Sequence, residues 1–393
     1  MLSYHLELPK LPLLQRFFAI HPRRQLRELY TFSVFFAFAN SLILIFEPVF
    51  FYQLGVPLWL ISGYYALHYA LYLFLLPLGG MFAARFGLER SLAVAMPLFV
   101  TYFLTLAAMS GRPGLFWIAW ILLTLFKIFY WPAYHTEMIK YGDSRNRGTE
   151  LSWVFALTEG VGVLGPMTGG LVVTFLGFPV LFVLAAALAL FAVVPLLRTK
   201  ERYRAEGLKY YEPWLLMVSR RFRPALITMV GWGENLVDLV FWPVFMFIIV
   251  GGADVLGYIA TVNILFMTLF GFFVGEISDR FSRQKILRVH LPFMALGYLL
   301  RPLATTPLRV LLTDSLAKTA LIGIRIPQMY RLYVKGREAG ALRYVLAMEM
   351  TLSISKCLLA LTLGGVFLWL TPSAGFAVAF TVAAVFSLLY LFL

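Results

Sequence analysis

Apolar residues fill twelve long segments of the chain, and short polar connections separate them. About 20 consecutive apolar residues are enough for a helix to cross the hydrocarbon core of a membrane. The pattern therefore predicts twelve transmembrane helices, near 30–54, 58–83, 91–110, 114–139, 150–176, 178–197, 224–250, 254–278, 286–305, 308–333, 344–370 and 373–393. The resulting division is an N-terminal arm, a first bundle, a polar basic linker and a second bundle, at 1–29, 30–197, 198–223 and 224–393.

The two predicted bundles share a sequence pattern at a constant offset of 195 positions. The matches run through five successive apolar segments without a gap. They pair Asn40 with Asn235, Pro48-Val49-Phe50 with Pro243-Val244-Phe245, Gly80 with Gly275, Arg85-Phe86 with Arg280-Phe281, Pro97 with Pro292, Pro132 with Pro327, Lys140 with Lys335, and Gly169-Gly170 with Gly364-Gly365. Two membrane halves of the same build are typical of secondary transporters, in which the substrate binds between the halves.

Composition supports a membrane protein and charge indicates its orientation. Of the 393 residues, 61% are hydrophobic and 13% are charged, whereas soluble domains average about 25% charged residues. Twenty-six of the 33 Lys and Arg fall in the N-terminal arm and in the connections on one side, and only Arg112, Arg301 and Arg309 fall in the opposite connections. By the positive-inside rule both termini are then cytoplasmic. This distribution also accounts for the net charge of +14 without a nucleic-acid partner, because the cations face anionic lipid.

The N-terminal arm and the lone thiol add little further chemistry. The arm lacks a small-residue cleavage site, so we expect a basic amphipathic segment on the membrane surface rather than a signal peptide. The single cysteine, Cys357, excludes an intrachain disulfide.

Two connections carry a recognisable loop pattern. Residues 275–285 read GEISDRFSRQK, which resembles the Gly-x-x-x-Asp-Arg-x-x-Arg-Arg/Lys loop of the major facilitator superfamily. Residues 80–90, GMFAARFGLER, are the first copy and have Ala84 at the Asp position. The resemblance covers essentially the whole chain and implies alternating access, with a conformational motif at Gly80, Arg85, Gly275, Asp279 and Arg280. Alternatively, Asp279 and Arg280 belong to an ordinary solvated loop.

The fifth segment resembles one branch of that superfamily. Residues 160–170 read GVGVLGPMTGG, similar to the Gly-Pro-x-x-Gly-Gly element of drug/proton antiporters. Pro132-Ala133-Tyr134 and Arg147-Gly148 lead into it as they do in that branch. The resemblance adds Gly165, Pro166, Gly169 and Gly170 to the conformational motif, with a proline bend and a small face that permits close helix packing. General helix packing is the alternative explanation.

Ten ionisable residues lie well inside the predicted spans. They are Glu47, Lys127, Glu159, Glu234, Asp238, Asp314, Lys318, Arg325, Glu349 and Lys356. Each charge at mid-membrane costs about 2.5–3.5 kcal/mol, so these groups have to face one another or water. In the superfamily, spans 1, 4, 7 and 10 line the central cavity, and seven of the ten fall on those spans.

The charges inside the spans suggest two kinds of role. Like charges one turn apart, as at Glu234 and Asp238, favour proton or cation binding, which we also predict for Glu47. Opposite charges at that spacing, as at Asp314 and Lys318, favour an ion pair. Lys127 with Glu159 and Glu349 with Lys356 are two further predicted ion pairs. The resemblance to the superfamily implies a substrate cavity on these spans, and helical spacing supports shared faces there. The predicted cavity residues are Asn40, Lys127, Trp131, Tyr134, Asn235, Asp314, Lys318 and Arg325.

The sequence thus predicts a monomeric secondary transporter of a cytoplasmic membrane. Its substrate is a small amphipathic molecule that leaves the cell in exchange for protons, and its other partner is membrane lipid. The alternatives are transport of an organic anion or lipid-like molecule and, from another class, an integral-membrane enzyme acting on lipid. We expect no cofactor, no metal and no catalytic residue, because no hydrolytic, phosphate-binding or metal-ligand pattern is present in the sequence.

Overall fold

The computed structural model describes residues 24–141, 160–197, 207–280 and 283–392, and these residues contain helices but no β-strand. Twelve helical segments follow one another, which confirms the predicted all-α fold. We number them α1 (Arg24–Ser41 and Phe46–Gln53), α2 (Leu58–Phe86), α3 (Leu88–Ala107), α4 (Leu115–Tyr141), α5 (Leu164–Leu176), α6 (Phe178–Leu197), α7 (Arg223–Gly231 to Trp242–Val250), α8 (Ala253–Arg280), α9 (Arg283–Leu300), α10 (Pro307–Ala339), α11 (Ala341–Trp369) and α12 (Pro372–Ser387). A short helix, Glu212–Met217, precedes α7.

The described helices have the length and apolarity of a protein that crosses the membrane many times. Eight stretches are long and apolar enough to span a bilayer, and two shorter apolar helices, Gly160–Leu176 and Phe178–Val194, add to them. The helices α9 and α10 complete the set and carry many of the charged side chains. We call the membrane side with the α2–α3, α8–α9 and α10–α11 connections the basic face, and the other side the opposite face.

Several helices extend beyond the predicted spans on the basic face. Helix α10 continues to Ala339 instead of ending near 333, because Lys and Arg sustain a helix after it leaves the apolar layer. It ends at Gly340, whose φ of +87° is costly for other residues, and α11 begins at once. Gly87, with a φ of +114°, makes the equally short connection between α2 and α3.

Two helices are interrupted at positions that the sequence repeat relates. In the first half, a turn at 42–45 breaks α1 just before Pro48. In the second half, α7 tightens into a 3₁₀ turn at Trp232–Glu234 and widens into a π-helix at Val237–Phe241 before Pro243. A proline cannot donate to the carbonyl four residues earlier, so the helix rewinds locally around it. In α7 this irregular stretch carries Glu234 and Asp238.

The halves pack together along two helix pairs, and the first is α2 with α11. The hydroxyl of Ser62 donates to the carbonyl of Ala360, at 2.6 Å. Nearer the basic face, the Gly80 backbone lies directly against Leu346, with no space for a Cβ atom. Gly80 of the predicted conformational motif is therefore a packing position between the halves.

The second pair is α5 with α8, which meet at backbone distance. Gly257 lies against the carbonyl of Pro166, and Gly170 lies against Ala253. The backbone N–H of Met167 donates to Thr261 Oγ1 at 3.0 Å. Small residues permit this approach, as the sequence motif predicts.

The remaining motif residues of α5 contact α1. At Gly165 and Gly169 an added Cβ atom would overlap Ser41 and the Leu42 carbonyl, where α1 is broken. The proline bend predicted for this helix takes the form of a turn at Val163. Pro166 has no N–H group to donate a hydrogen bond to the carbonyl of Gly162. The predicted lead-in at Arg147-Gly148 lies outside the described residues.

Contacts join the halves near both membrane faces. On the opposite face, Phe46–Gln53 of α1 packs against Trp242–Val250 of α7. On the basic face, α4 packs against α10, where Arg337 Nε donates to the carbonyl of Ile139 at 3.1 Å. The described helices therefore touch at both ends of the interface.

We predict that Gly257→Ala destabilises the fold, because its methyl group meets a rigid carbonyl on α5. Overpacking of this kind costs about 1–3 kcal/mol, so the thermal unfolding midpoint of detergent-purified protein should fall by several degrees. Gly63→Ala is the matched control. Gly63 also lies within a helix but has open space around its Cα, so alanine should leave the midpoint unchanged or raise it. Equal effects of the two substitutions would contradict close α5–α8 packing.

Candidate functional site

The guanidinium of Arg301 is the centre of a polar cluster inside the second half. Its side chain is 0% exposed, at the end of α9. Nη1 donates to Asp238 Oδ1 at 2.6 Å, and Nη2 donates to Asp314 Oδ1 at 3.3 Å. The guanidinium carbon lies 4.2 Å from the ring centroid of Trp242 and 4.5 Å from that of Tyr298. One cation thus holds acids of α7 and α10 together.

Asp314 is fully partnered within this cluster. Besides Arg301, it accepts hydrogen bonds from Trp242 Nε1 at 2.8 Å and Asn263 Nδ2 at 2.7 Å. The ammonium of Lys318 lies 3.1 Å from its other oxygen, so the pair that the four-residue spacing favours is present. A carboxylate with this many donors is held in place as a structural group.

Glu234 has a looser set of partners. It is 0% exposed, and its carboxylate accepts from Tyr390 at 2.7 Å. The nearest cation described is Arg325, whose Nη2 lies 3.9 Å from Oε1. That guanidinium stacks on Trp232, 3.8 Å from its ring centroid. Glu234 therefore depends mainly on tyrosine hydroxyls.

Tyr298 connects the two acids that the sequence places one turn apart. Its hydroxyl lies 2.6 Å from Asp238 Oδ2 and 3.0 Å from Glu234 Oε2. A tyrosine hydroxyl has one proton to donate and can also accept. The two short contacts can both be hydrogen bonds only if one of the carboxyl groups carries a proton. The geometry thus accommodates one extra proton.

A second group of polar residues lies where the halves meet. The Tyr69 ring of α2 has the Lys127 ammonium 5.4 Å from its centroid and the Lys356 ammonium 5.3 Å away. Lys127 belongs to the first half and Lys356 to the second. Lys356 also donates to the side-chain oxygen of Asn235 at 3.0 Å. The interface thus brings together two cations from opposite halves.

The acids nearest this interface bind hydroxyl and ring groups. Glu47 accepts from the Tyr65 hydroxyl at 2.7 Å. Glu349 of α11 accepts from Tyr72 at 3.2 Å. The predicted Glu349–Lys356 pair is not among the ion pairs of the described residues, and Glu159, the predicted partner of Lys127, lies outside them.

A chain of contacts joins α4, α10 and α11 closer to the basic face. His135 Nδ1 is 2.8 Å from the hydroxyl of Tyr333, and its Nε2 is 3.8 Å from Glu349 Oε1. Trp131 stacks on His135 with ring centroids 5.2 Å apart, and Tyr134 lies 5.5 Å from the same ring. Two residues of the predicted cavity are therefore part of a contact between the halves.

The other predicted positions lie apart from these groups. Asn40 is half-buried just before the break in α1, and its backbone carbonyl accepts from Leu44. Arg85 is exposed on the basic face, against the ring of Phe86. Gly275, Asp279 and Arg280 lie in the last turns of α8, and their side chains are outside the described part of the structure.

Sequence analysis placed Arg301 in a connection on the opposite side, and the structure corrects this. The residue is buried because two aspartates and three aromatic rings surround it. The signal was a charge imbalance: six acids but only four bases lay inside the predicted spans. Two of these acids therefore had no basic partner within the spans, and the end of a span was the next place to look for a cation. Within the described residues, no group of three His, Cys, Asp or Glu is placed to hold a metal ion.

We predict that Arg301→Gln strongly destabilises the second half. The change leaves Asp238 without its cation, whereas Asp314 keeps Lys318, and loss of one partner from a buried pair costs about 3–5 kcal/mol. Unfolding monitored by tryptophan fluorescence should therefore shift to lower denaturant. Adding Asp238→Asn should recover part of the loss. Arg309→Gln, at an exposed site on α10, is the control and should change stability by less than about 0.5 kcal/mol. Wild-type stability of Arg301→Gln would contradict this role.

Comparisons with known proteins agree with this architecture. The structure resembles a mutant of the nucleoside transporter NupG, with a TM-score of 0.69 and 16% identity over 94% of this chain and 98% of that one. It also resembles a mutant of the E. coli fucose:proton symporter FucP, with a TM-score of 0.62 and 14% identity over 93% and 98% of the two chains. At such identities the likeness shows the fold alone.

Sequence comparison identifies the family. No curated protein sequence matches the chain significantly. Residues 29–316, well over half of the chain, match the Major Facilitator Superfamily. The match and the twelve-helix fold confirm the resemblance seen in the loop patterns at the level of the superfamily. The protein belongs to the major facilitator superfamily and is a multi-pass membrane transporter, not an enzyme.

Proposed function

We propose that the protein is a proton-coupled transporter that works by alternating access, with Glu234 as the residue that takes up and releases the proton. The observation that carries this proposal is the position of the Tyr298 hydroxyl between Glu234 and Asp238. A proton on one carboxyl completes the hydrogen bonds of all three groups. Its departure leaves the Tyr298 hydroxyl able to donate to only one of the two acids.

Glu234 rather than Asp238 is the proton carrier in this proposal. Asp238 accepts a 2.6 Å hydrogen bond from the buried guanidinium of Arg301 and so has a cation in direct contact. Glu234 has its nearest described cation at 3.9 Å and is otherwise bound to tyrosine hydroxyls, which suit a neutral or a charged carboxyl. The prediction from sequence named both acids, and the geometry favours separate roles for them.

The path from proton to substrate runs through α7. Asn235 directly follows Glu234 in the irregular stretch of the helix, and its side chain accepts from Lys356 of α11. A helix without regular hydrogen bonds at this point can adjust when the proton binds. The proton site is therefore one residue away from a contact that reaches the interface between the halves.

The proposed conformational change moves the bundles 30–197 and 224–393 against each other as rigid bodies. Opening towards the basic face requires separation of α4 from α10 at His135 and Tyr333. Opening towards the opposite face requires separation of Phe46–Gln53 from α7. The long contacts of α2 with α11 and of α5 with α8 provide surfaces along which the bundles rock.

The proposed direction is export of a small amphipathic compound in exchange for protons, by a monomer in a cytoplasmic membrane with both termini inside. Support comes from the positive charge of one membrane side and from the antiporter-like element of α5, whose glycines pack against α1 and α8. Glu47, bound to Tyr65 near the opposite face, is a second proton or cation site in this scheme.

Transport of an organic anion or lipid-like molecule is the second candidate function. It is favoured by the two ammonium groups of Lys127 and Lys356 at the interface. This candidate concerns the charge of the substrate and leaves the proton site unchanged. It is therefore compatible with coupling through Glu234.

We predict that infrared difference spectra of the reconstituted protein, recorded between acidic and basic pH, contain the carbonyl band of a protonated carboxyl that Glu234→Gln removes. Glutamine has the shape of glutamate and accepts from Tyr298 and Tyr390, so the variant should fold. Asp238→Asn should keep the band. Glu338→Gln, a surface acid paired with Arg221, is the control and should leave this band unchanged. A spectrum of Glu234→Gln that equals the wild-type spectrum would exclude Glu234 as the proton carrier.

We predict that a disulfide between α4 and α10 stops transport. Ile139→Cys and Gly336→Cys, introduced with Cys357→Ser, place thiols where the two helices touch on the basic face. The probes for flux are p-toluenesulfonate, p-toluenesulfonamide and trimethylanilinium, three labelled aromatic compounds that differ in charge. Oxidation should abolish the flux of every probe that the reduced protein transports in proteoliposomes, and reduction should restore it. Full flux through the cross-linked protein would show that this contact need not open. The single cysteine variants are the controls.

A further inference from the structure

Two lysines at the interface lack a carboxylate in contact distance. Among the described residues, neither Lys127 nor Lys356 has an acidic oxygen within 4 Å. Lys356 is buried, and its one hydrogen-bond acceptor is the neutral amide of Asn235. Lys127 is half-buried and has the face of Tyr69 as its described contact. Both ammonium groups therefore keep hydrogen-bond donors free.

The acids in the surroundings do not supply the missing contact. Glu47 is bound to Tyr65, and Glu349 is bound to Tyr72 and adjoins His135. In the second half, by contrast, Asp238 and Asp314 each contact Arg301 directly. A charge at membrane depth without a contacting counterion is costly and marks a functional position by default.

We propose that Lys127 and Lys356 bind the acidic group of the transported molecule, a carboxylate, sulfonate or phosphate, while the Tyr69 ring contacts its apolar part. This inference rests on the proposed transport function and assigns the substrate class, an amphipathic organic anion. The two ammonium groups flank one aromatic ring and donate hydrogen bonds to one anion between them.

The location of the two cations also explains how such an anion influences conformation. Lys127 is on α4 of the first half, and Lys356 is on α11 of the second half. Without an anion the two like charges repel each other across the interface. With an anion bound between them, the halves are drawn together at this depth, so substrate binding favours the closed interface. The contact from Lys356 to Asn235 then carries the change to the residue next to Glu234.

The test is binding to purified protein in lipid nanodiscs, measured by titration calorimetry. The probes are benzoate, phenyl phosphate and p-toluenesulfonate, with p-toluenesulfonamide and trimethylanilinium as the neutral and cationic counterparts. We expect at least one anion to bind and the two counterparts to bind at least about tenfold more weakly, since a charge-assisted hydrogen bond contributes about that much.

The variants assign the binding to these lysines. Lys127→Gln and Lys356→Gln should each weaken anion binding about tenfold or more, and Lys127→Arg should restore most of it. Lys209→Gln is the matched control, because Lys209 also lies over a tyrosine ring, 5.9 Å from that of Tyr211, but at the surface. The thermal unfolding midpoint of each variant without anion gives a readout of folding that is independent of anion binding.

The outcomes separate this inference from the proposed function. Binding of none of the three anions, or unchanged binding in both glutamine variants, overturns the anion site and leaves the infrared test of Glu234 intact. Anion binding without the Glu234 band supports the site and removes the coupling proposal. If phosphatidylglycerol in the nanodisc abolishes anion binding that is present in pure phosphatidylcholine, the site holds a lipid headgroup, and the assignment to a soluble substrate is wrong.

Discussion

A charge at the depth of the hydrocarbon layer has to meet an opposite charge, a set of hydrogen-bond donors or water, and this constraint organises the second half of the protein. Arg301 satisfies this constraint for two acids at once. Its guanidinium N–H groups donate to Asp238 and Asp314, while the flat faces of the guanidinium lie on aromatic rings. The helices α7, α9 and α10 are thereby tied at one point. The irregular turn of α7 is tolerable next to this anchor, since its neighbours hold it in place.

The fixed and the adjustable parts of the polar interior can be told apart by how completely each group is partnered. Asp314 has donors from Trp242, Asn263 and Lys318 in addition to Arg301, so its position is fixed on several sides. Glu234 and the interface lysines are partnered by hydroxyls, an amide and a ring face. Such partners tolerate a change of charge or the arrival of a ligand. Transport requires groups of this second kind, and the structure places Glu234 on α7 and the two lysines on α4 and α11.

The sequence was sufficient for the architecture but only partly for the site. Apolar runs and the constant repeat offset depend on local composition, so they predict the twelve helices and place Pro48 and Pro243 at equivalent positions. The helix breaks before these prolines were not predicted. Spacing along one helix also predicts Asp314 with Lys318. It cannot predict partners on other helices, which is why Arg301, Tyr298 and the link between His135 and Tyr333 escaped detection. Sequence analysis assigned Arg301 to a connection because the residue lies near the end of a predicted span. A charge there is close to the membrane surface, where its free-energy cost is small.

The proposed proton site lies within the second half, whereas the proposed anion site is shared between the halves. Glu47 corresponds to Trp242 at the 195-residue offset, so the same position of the scaffold has an acid in the first half and an aromatic donor to Asp314 in the second. The second half contains a dense network of buried charged groups whose charges nearly cancel. The first half contributes Lys127 and Tyr69 to the interface. A substrate that contacts both halves reaches the proton site only through α7. Since Asn235 and Glu234 are adjacent there, coupling needs no long pathway: movement of one helical turn changes the surroundings of both.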